Sequence, residues 1–162
     1  MRLFYYMPVK FFSYNKKEKL KSRKQLEQLF TAGTTFTVFP IKVIYKEVEV
    51  QNSILKTGVG ASRKNFKKAV DRNRIKRLLR ETYRTEKAVL LNYLQQNKKQ
   101  IALFFLYIDK SLPDYKTLKQ KMQQTIEKLI KNLDEVASKN IKLPVYFVDK
   151  NLSKNYFTFN RS

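Results

Sequence analysis

Residues Lys64 to Arg84 read KNFKKAVDRNRIKRLLRETYR, and this segment combines a dense positive charge with apolar side chains at helical spacing. Between Arg63 and Arg84 there are ten basic residues and two acidic ones. One face of a helix would carry the positions Ile75, Leu78, Leu79 and Thr82. The opposite face would carry Asn73, Lys76, Arg77, Arg80 and Arg84. The pattern predicts a helix that begins near residues 69–72, runs toward Tyr93 and presents its basic side to an anionic partner.

Length and net charge narrow the class of protein. The chain has 162 residues, of which 43% are hydrophobic, and this suffices for one ordinary globular domain. Its net charge of +22, from 35 basic and 13 acidic residues, opposes compaction unless a polyanion neutralises it. The sequence contains no apolar run of about eighteen residues that would suit a membrane span. Nucleic acid is therefore favoured as the partner, and no membrane partner is expected.

The chain contains neither Cys nor His, which excludes disulfides, zinc fingers and thiol nucleophiles. It also lacks the commonest general base, so a nuclease built from this chain alone would have to use carboxylates and Mg²⁺. The candidate acids Asp71, Glu81, Asp109 and Asp114 fall on different predicted elements. We therefore expect no catalytic residue and no metal ligand among the side chains of this protein.

Hydrophobic periodicity around the basic segment predicts an αββαβα order in one α/β sandwich. The expected elements are a helix over 23–30 ended by Gly33, strands over 36–50 and 55–61, the basic helix, a strand over 101–108 and a helix over 115–136. The first two strands are expected to pair as a hairpin, and Gly58 and Gly60 indicate close approach of another backbone. The unbroken apolar run at 101–108 is typical of a central strand covered on both faces.

These elements predict one domain over residues 20–136, with an N-terminal extension at 1–19 and a C-terminal extension at 137–162. A further short strand is expected over 141–148. The aromatic start of the chain lacks the continuous apolar core and the small-residue cleavage site of a secretory signal. We therefore predict a cytoplasmic protein.

The triplet Arg72-Asn73-Arg74, followed by Ile75-Lys76-Arg77 and then Arg80-Glu81, resembles the signature of the bacterial ribonuclease P protein component. The resemblance extends over roughly residues 20–133. Within that range, 21–33 is similar to the leading helix of the family, 58–64 to its glycine-bearing strand, and 69–84 to its signature helix.

The resemblance implies an αββαβα fold in which a left-handed crossover joins a parallel strand pair, against the usual handedness. In that family the RNA subunit removes the 5′ leader from precursor transfer RNA, using Mg²⁺ at the RNA active site. The protein binds the catalytic RNA and holds the leader. The expected partners are therefore ribonuclease P RNA and precursor tRNA, with no small-molecule substrate and no metal held by protein side chains.

The resemblance also implies two sets of site residues. The residues that match the family and are expected to bind RNA are Arg63, Lys64, Arg72, Asn73, Arg74, Lys76, Arg77 and Arg80. Lys68 and Arg84 belong to the same basic segment and complete the predicted RNA-binding set. Arg72 and Arg74 flank the outward face, and the alternative for both is that they brace neighbouring groups. The leader-cleft set is Leu26, Phe30, Lys42 and Ile44. Leu26 stands where the family often has an aromatic residue, and a slip of one residue on the strand would exchange the faces of Lys42 and Ile44.

Three other classes of protein remain as alternatives. A ribosomal or other structural RNA-binding protein would share the charge and the size, and only the ordered signature separates it from the preferred interpretation. A transcription factor is weaker, because no helix-turn-helix spacing precedes the basic helix. A stand-alone nuclease is weakest, because its acids are scattered. Leu26 and Phe30 also admit a simpler interpretation as ordinary core residues of an amphipathic helix.

Overall fold

A computed structural model describes residues 14–48 and 53–140, with side chains as far as residue 136. The predicted strand over 141–148, and most of the N-terminal extension, lie outside the described residues. After a short 3-10 turn at Lys16–Glu18, the elements are α1 (Arg23–Ala32), β1 (Thr34–Val38), β2 (Ile41–Glu47), β3 (Leu55–Ala61), α2 (Ala69–Gln96), β4 (Ile101–Tyr107) and α3 (Tyr115–Asn140). The predicted mixed α/β class is confirmed.

The sheet has the strand order β1-β2-β4-β3. β2 pairs antiparallel with both β1 and β4, whereas β3 and β4 run parallel. The predicted hairpin between the first strand and 55–61 is wrong, because β4 lies between β2 and β3. The single strand expected over 36–50 is instead divided at Pro40 into β1 and β2, which form the hairpin. The most apolar strand takes an interior position, while the threonine-rich β1 takes an edge.

The parallel pair that the resemblance implies is thus present in the sheet, and the handedness of its crossover stays a prediction. One face of β4 packs against α2 and α3 through Ile101, Leu103, Phe105 and Tyr107, all of which are buried. The other face carries Ala102, which is buried, and Phe104 and Leu106, which are half-buried. Coverage of β4 on both faces was expected, but α1 covers only part of the second face. The uncovered remainder is the floor of a cleft.

The first helix is fixed at both ends. Its N-cap Ser22 accepts a hydrogen bond from the Gln25 backbone nitrogen at 3.4 Å. It ends at Gly33, as predicted, where a Cβ atom would lie 2.3 Å from the Leu29 carbonyl oxygen and 2.9 Å from Ile44 Cγ2. Gly33 is therefore required by close packing. Leu29 holds the helix on the sheet in a small core with Leu20, Ile44 and Ala102.

The basic helix α2 forms as predicted, and its apolar stripe enters the main core. Ile75, Leu79 and Thr82 are fully buried, and Leu78 is half-buried. Further along the helix, Leu90 and Leu94 continue this stripe. Burial of each such leucine stabilises the fold by about 1.5–3 kcal/mol, which offsets the charge repulsion along the outer face.

The two glycines of β3 are approached by a side chain and not by another backbone, which corrects the prediction made for them. A Cβ atom on Gly58 would lie 2.5 Å from Cδ2 of Phe104, and one on Gly60 would lie 2.9 Å from Cε1 of the same ring. Gly58 and Phe104 are partners in the parallel register. The two glycines therefore give the Phe104 ring room to lie flat along the sheet.

Candidate nucleic-acid interface

The outer surface of α2 carries the predicted RNA-binding residues in one row. Asn73, Arg74, Arg77 and Arg80 are exposed, and Lys76 is partly buried. The buried stripe fixes the rotation of the helix, so these side chains point away from the core. Guanidinium groups in such a row suit a phosphate backbone, because their planar donors bind two phosphate oxygens at once.

The loop before α2 presents three more of the predicted cations. Asn65 donates from Nδ2 to the carbonyl oxygens of Ile108 and Asp109, at 2.6 and 3.2 Å. Phe66 is buried, with its ring centroid 6.0 Å from that of Tyr107. The loop is thereby tied to the end of β4. The side chains of Arg63, Lys64 and Lys68 remain exposed to solvent.

Arg72 has a structural role within this loop. Its Nη1 donates to the carbonyl oxygens of Phe66 and Lys67, at 2.8 and 2.5 Å. The side chain is partly buried, unlike that of Arg74, which is exposed. The bracing alternative is therefore favoured for Arg72, while Arg74 remains available on the surface.

Arg84 lies at the far end of the predicted set and faces an acid on its own helix. Its Nη2 is 2.6 Å from Oε1 of Glu81, and Nε donates to the other carboxylate oxygen at 3.1 Å. The hydrogen bond from Arg84 lowers the pKa of Glu81 below its ordinary value. Such an exposed pair contributes little to stability. It does hold the Arg84 guanidinium next to Glu81, one turn earlier on α2.

A cleft lies beside α2, between α1 and the open part of the sheet. Its volume is about 310 Å³. Leu26 lines it from α1, Phe104 and Gly58 from the sheet, and Arg80 from α2. The row of cations and the cleft therefore meet at Arg80. A nucleic-acid strand laid along the row of cations would reach the cleft at Arg80.

The remaining predicted cleft residues occupy different positions. Phe30 is 51% exposed, and its ring centroid lies 5.1 Å from that of Phe104. Lys42 and Ile44 share the α1-facing side of β2, because Ile41, Val43 and Tyr45 enter the main core. Lys42 is partly buried. Ile44 is only 4% exposed and packs in the small core with Leu29, so it supports α1 from below and presents no surface to a ligand.

Sequence reasoning missed two aromatic residues of the cleft, Tyr14 and Phe104. Tyr14 donates to the carbonyl oxygen of Thr57 at 2.7 Å, and Lys19 Nζ lies 5.3 Å from the centroid of its ring. Burial raises the pKa of Tyr14 to about 12. Tyr14 lies in the predicted N-terminal extension, and Phe104 lies in the apolar run that was predicted to be covered on both faces. The feature of the sequence that could have indicated an unusual position for the Phe104 ring is Gly58, which pairs with it in the sheet.

The described residues contain neither a candidate metal site nor a candidate membrane-spanning helix. No group of three or more His, Cys, Asp or Glu side chains among residues 14–48 and 53–136 could hold a metal ion. Within the same part of the chain, no helix is both long and apolar enough to cross a membrane.

Comparison with known proteins gives consistent matches along the chain. The family model of ribonuclease P matches residues 14–134. The ribonuclease P protein component of Porphyromonas gingivalis strain ATCC 33277 is 33% identical over 130 residues, which cover 80% of this chain and 95% of that protein. The component from strain W83 is 34% identical over 132 residues, with the same coverage. The component from Chlorobium phaeobacteroides is 28% identical over 128 residues, covering 72% of this chain and 88% of that one.

Solved structures show the same fold. The RNase P protein from Thermotoga maritima superposes with a TM-score of 0.55 at 22% identity, covering 68% of this chain and 96% of that one. The Staphylococcus aureus RNase P protein gives a TM-score of 0.50 at 17% identity, with 72% and 94% of the two chains covered. At these identities the likeness is one of backbone architecture.

Proposed function

We propose how this chain works as a component of an endoribonuclease complex, because it belongs to the ribonuclease P protein family. It binds the catalytic RNA and the 5′ leader of precursor tRNA, and it assists Mg²⁺-dependent removal of that leader. The observation that carries this proposal is that the cationic row of α2 and the cleft under α1 meet at Arg80.

The catalytic RNA is the partner that we assign to α2 and the loop before it. The exposed side chains there include Arg63, Lys64, Arg74 and Arg77. They sit on a helix and on an anchored loop, so their spacing is set before RNA binds. Contacts of this kind with phosphate position the RNA and supply salt-dependent affinity, and they carry no sequence preference of their own.

The leader is the partner that we assign to the cleft. A single strand has unpaired bases that can stack on aromatic rings, and Phe30 and Phe104 offer such rings at the cleft edge and floor. Leu26 provides an apolar wall, and Arg80 provides a cation for the phosphates that follow. The bases of a duplex are already paired and stacked on one another, so this way of binding favours single-stranded RNA in the cleft.

We place the chemistry of cleavage on the RNA subunit and its Mg²⁺ ions. The sequence has no His and no Cys, and its basic surfaces suit holding phosphates more than hydrolysing them. In this scheme the protein raises the affinity for substrate, and it screens the phosphates that would otherwise require more Mg²⁺.

Reconstitution tests the proposal directly. The full chain and its cognate ribonuclease P RNA are combined with precursor tRNA, and cleavage is compared at low Mg²⁺ with that of the RNA alone. We expect faster cleavage with the protein, and weaker stimulation by the double variant R77A/R80A. Equal rates with and without protein would contradict the proposal and would favour a structural RNA-binding role. Cleavage by the protein without RNA would contradict the placement of the chemistry.

A further inference from the structure

A second cavity lies on the same face of the sheet as the cleft, on the other flank of α1. Its volume is about 380 Å³. On α1, Leu26 lines the cleft, whereas Gln25 and Gln28 line this second cavity, and Leu29 is buried between the two flanks. The helix therefore lies between two cavities on this face of the sheet, and Leu20 is the residue that lines both. We call the second one the lysine cavity.

Three residues on three neighbouring strands define this cavity. Lys46 on β2 and Lys56 on β3 are both register partners of Ala102 on β4. The three side chains therefore stand in one row on one face of the sheet, with the small side chain of Ala102 in the middle. Adjacent strands are about 4.8 Å apart, so the two lysine stems rise roughly 10 Å from each other, on either side of a gap above Ala102. Two ammonium groups can bend inward over that gap.

The charges around the gap favour an anion. Among the described residues neither Lys46 nor Lys56 has an ion-pair partner. Glu47 also lines the cavity, but its carboxylate lies 3.4 Å from Lys99 Nζ. Both lysines are partly buried, which strengthens their attraction for an anion compared with fully exposed lysines.

The rest of the lining suits the other parts of a nucleotide. Val48 gives apolar surface, with the buried Leu20 and Leu29 behind it, and the amides of Gln25 and Gln28 can both donate and accept hydrogen bonds. A volume of about 380 Å³ lies within the range of roughly 300–1,000 Å³ that is common for small-ligand sites. We infer that the lysine cavity binds the phosphate group of a nucleotide, carried either by a single-stranded RNA or by a free mononucleotide.

The test uses the Ala102 methyl group as a local reporter in the full chain. The sequence has six alanines, so methyl labelling of alanine gives few NMR signals. At constant ionic strength the protein is titrated with inorganic phosphate, uridine 5′-monophosphate, uridine and a short oligouridylate. We expect saturable shifts of the Ala102 signal with the three phosphate-bearing ligands and none with uridine. Half-saturation by the oligouridylate at a much lower concentration than by the mononucleotide would identify an RNA chain as the source, and equal or weaker binding would identify the free nucleotide.

Matched variants test whether the response of the Ala102 signal depends on the two lysines of the cavity. K46Q/K56Q retains the size of both side chains and should weaken the Ala102 response at least about tenfold, since charge-assisted hydrogen bonds to phosphate are lost. K131Q on the outer side of α3 should leave the response unchanged. R80A, which alters the cleft, should leave the responses to inorganic phosphate and to the mononucleotide unchanged, so this inference can fail independently of the proposed function. No shift with any phosphate ligand, or a full response in K46Q/K56Q, would overturn it.

Discussion

The Nζ atom of Lys87 lies 2.7 Å from a carboxylate oxygen of Glu18, and only 1% of the lysine side chain is exposed. This ion pair joins the middle of α2 to the short turn that precedes α1. Beside it, Thr57 donates to the hydroxyl of Tyr83 at 2.9 Å, and the ring of Tyr14 packs edge-on against that of Tyr83. The pair therefore holds the segment that forms one wall of the cleft.

Removing the carboxylate from this pair should destabilise the protein. In E18A the buried ammonium of Lys87 loses this partner, and we expect the free energy of unfolding to fall by about 2–3 kcal/mol. Urea denaturation followed by circular dichroism measures the change. E127A on the exposed side of α3 is the control and should shift the midpoint little. If E18A were as stable as E127A, the ion pair would contribute nothing measurable to the stability of the fold.

The close approach of Phe104 to β3 makes a second prediction. In G58A the new methyl group would lie 2.5 Å from Cδ2 of Phe104, so the ring must move out of its place on the cleft floor. We expect a loss of about 1–3 kcal/mol in stability, which is typical of overpacking. The companion variant G58A/F104L should recover part of it, because leucine leaves the methyl group room. Equal unfolding midpoints for the two variants would show that the ring is not the obstacle.

The elements that the sequence predicted well are those whose pattern is local. The 3.6-residue period of α2 and the apolar run of β4 were sufficient to predict these two elements, because each pattern shows which of its own side chains are buried. The order of strands was not predictable in this way, since the insertion of β4 between β2 and β3 depends on contacts between distant residues. The row of cations followed from the period of α2. The cleft did not, because Tyr14 and Phe104 become neighbours of Leu26 only through the fold.

An aromatic side chain at the edge of the cleft should contribute to leader binding. Phe30 is half exposed and contacts the Phe104 ring, so F30A should keep the fold but lose a stacking surface. We expect weaker binding of precursor tRNA to the complex by about 1–3 kcal/mol, with binding of mature tRNA unchanged. Phe39, which is 61% exposed near the turn between β1 and β2, gives the control F39A. An equal loss in both variants would mean that exposure alone, and not the cleft, explains the effect.

The role of Arg72 can be separated from that of Arg74. Arg72 donates to two loop carbonyl groups, and so R72A should loosen the loop before α2, with faster amide hydrogen exchange over residues 62–68. R72K keeps the charge but not the planar fork, and it should restore exchange protection only in part. R74A should weaken RNA binding without changing exchange in the loop. Unchanged exchange in R72A would assign Arg72 to RNA contact alone.

The salt dependence of RNA binding tests whether the row on α2 contacts phosphates. Arg77 and Arg80 are exposed on the outer face of α2, and each is expected to neutralise one phosphate when the catalytic RNA binds. The slope of log affinity against log salt should therefore become smaller in magnitude by about one for R77A and again for R80A. K131A removes one positive charge from an exposed site on α3 and serves as the control. Its slope should stay that of the unmodified protein, because long-range charge alone is screened beyond about 10 Å at 0.1 M salt.

If R77A, R80A and K131A lowered the slope equally, general charge would explain RNA affinity. If none of them changed it, the arginines of α2 would not contact RNA phosphates.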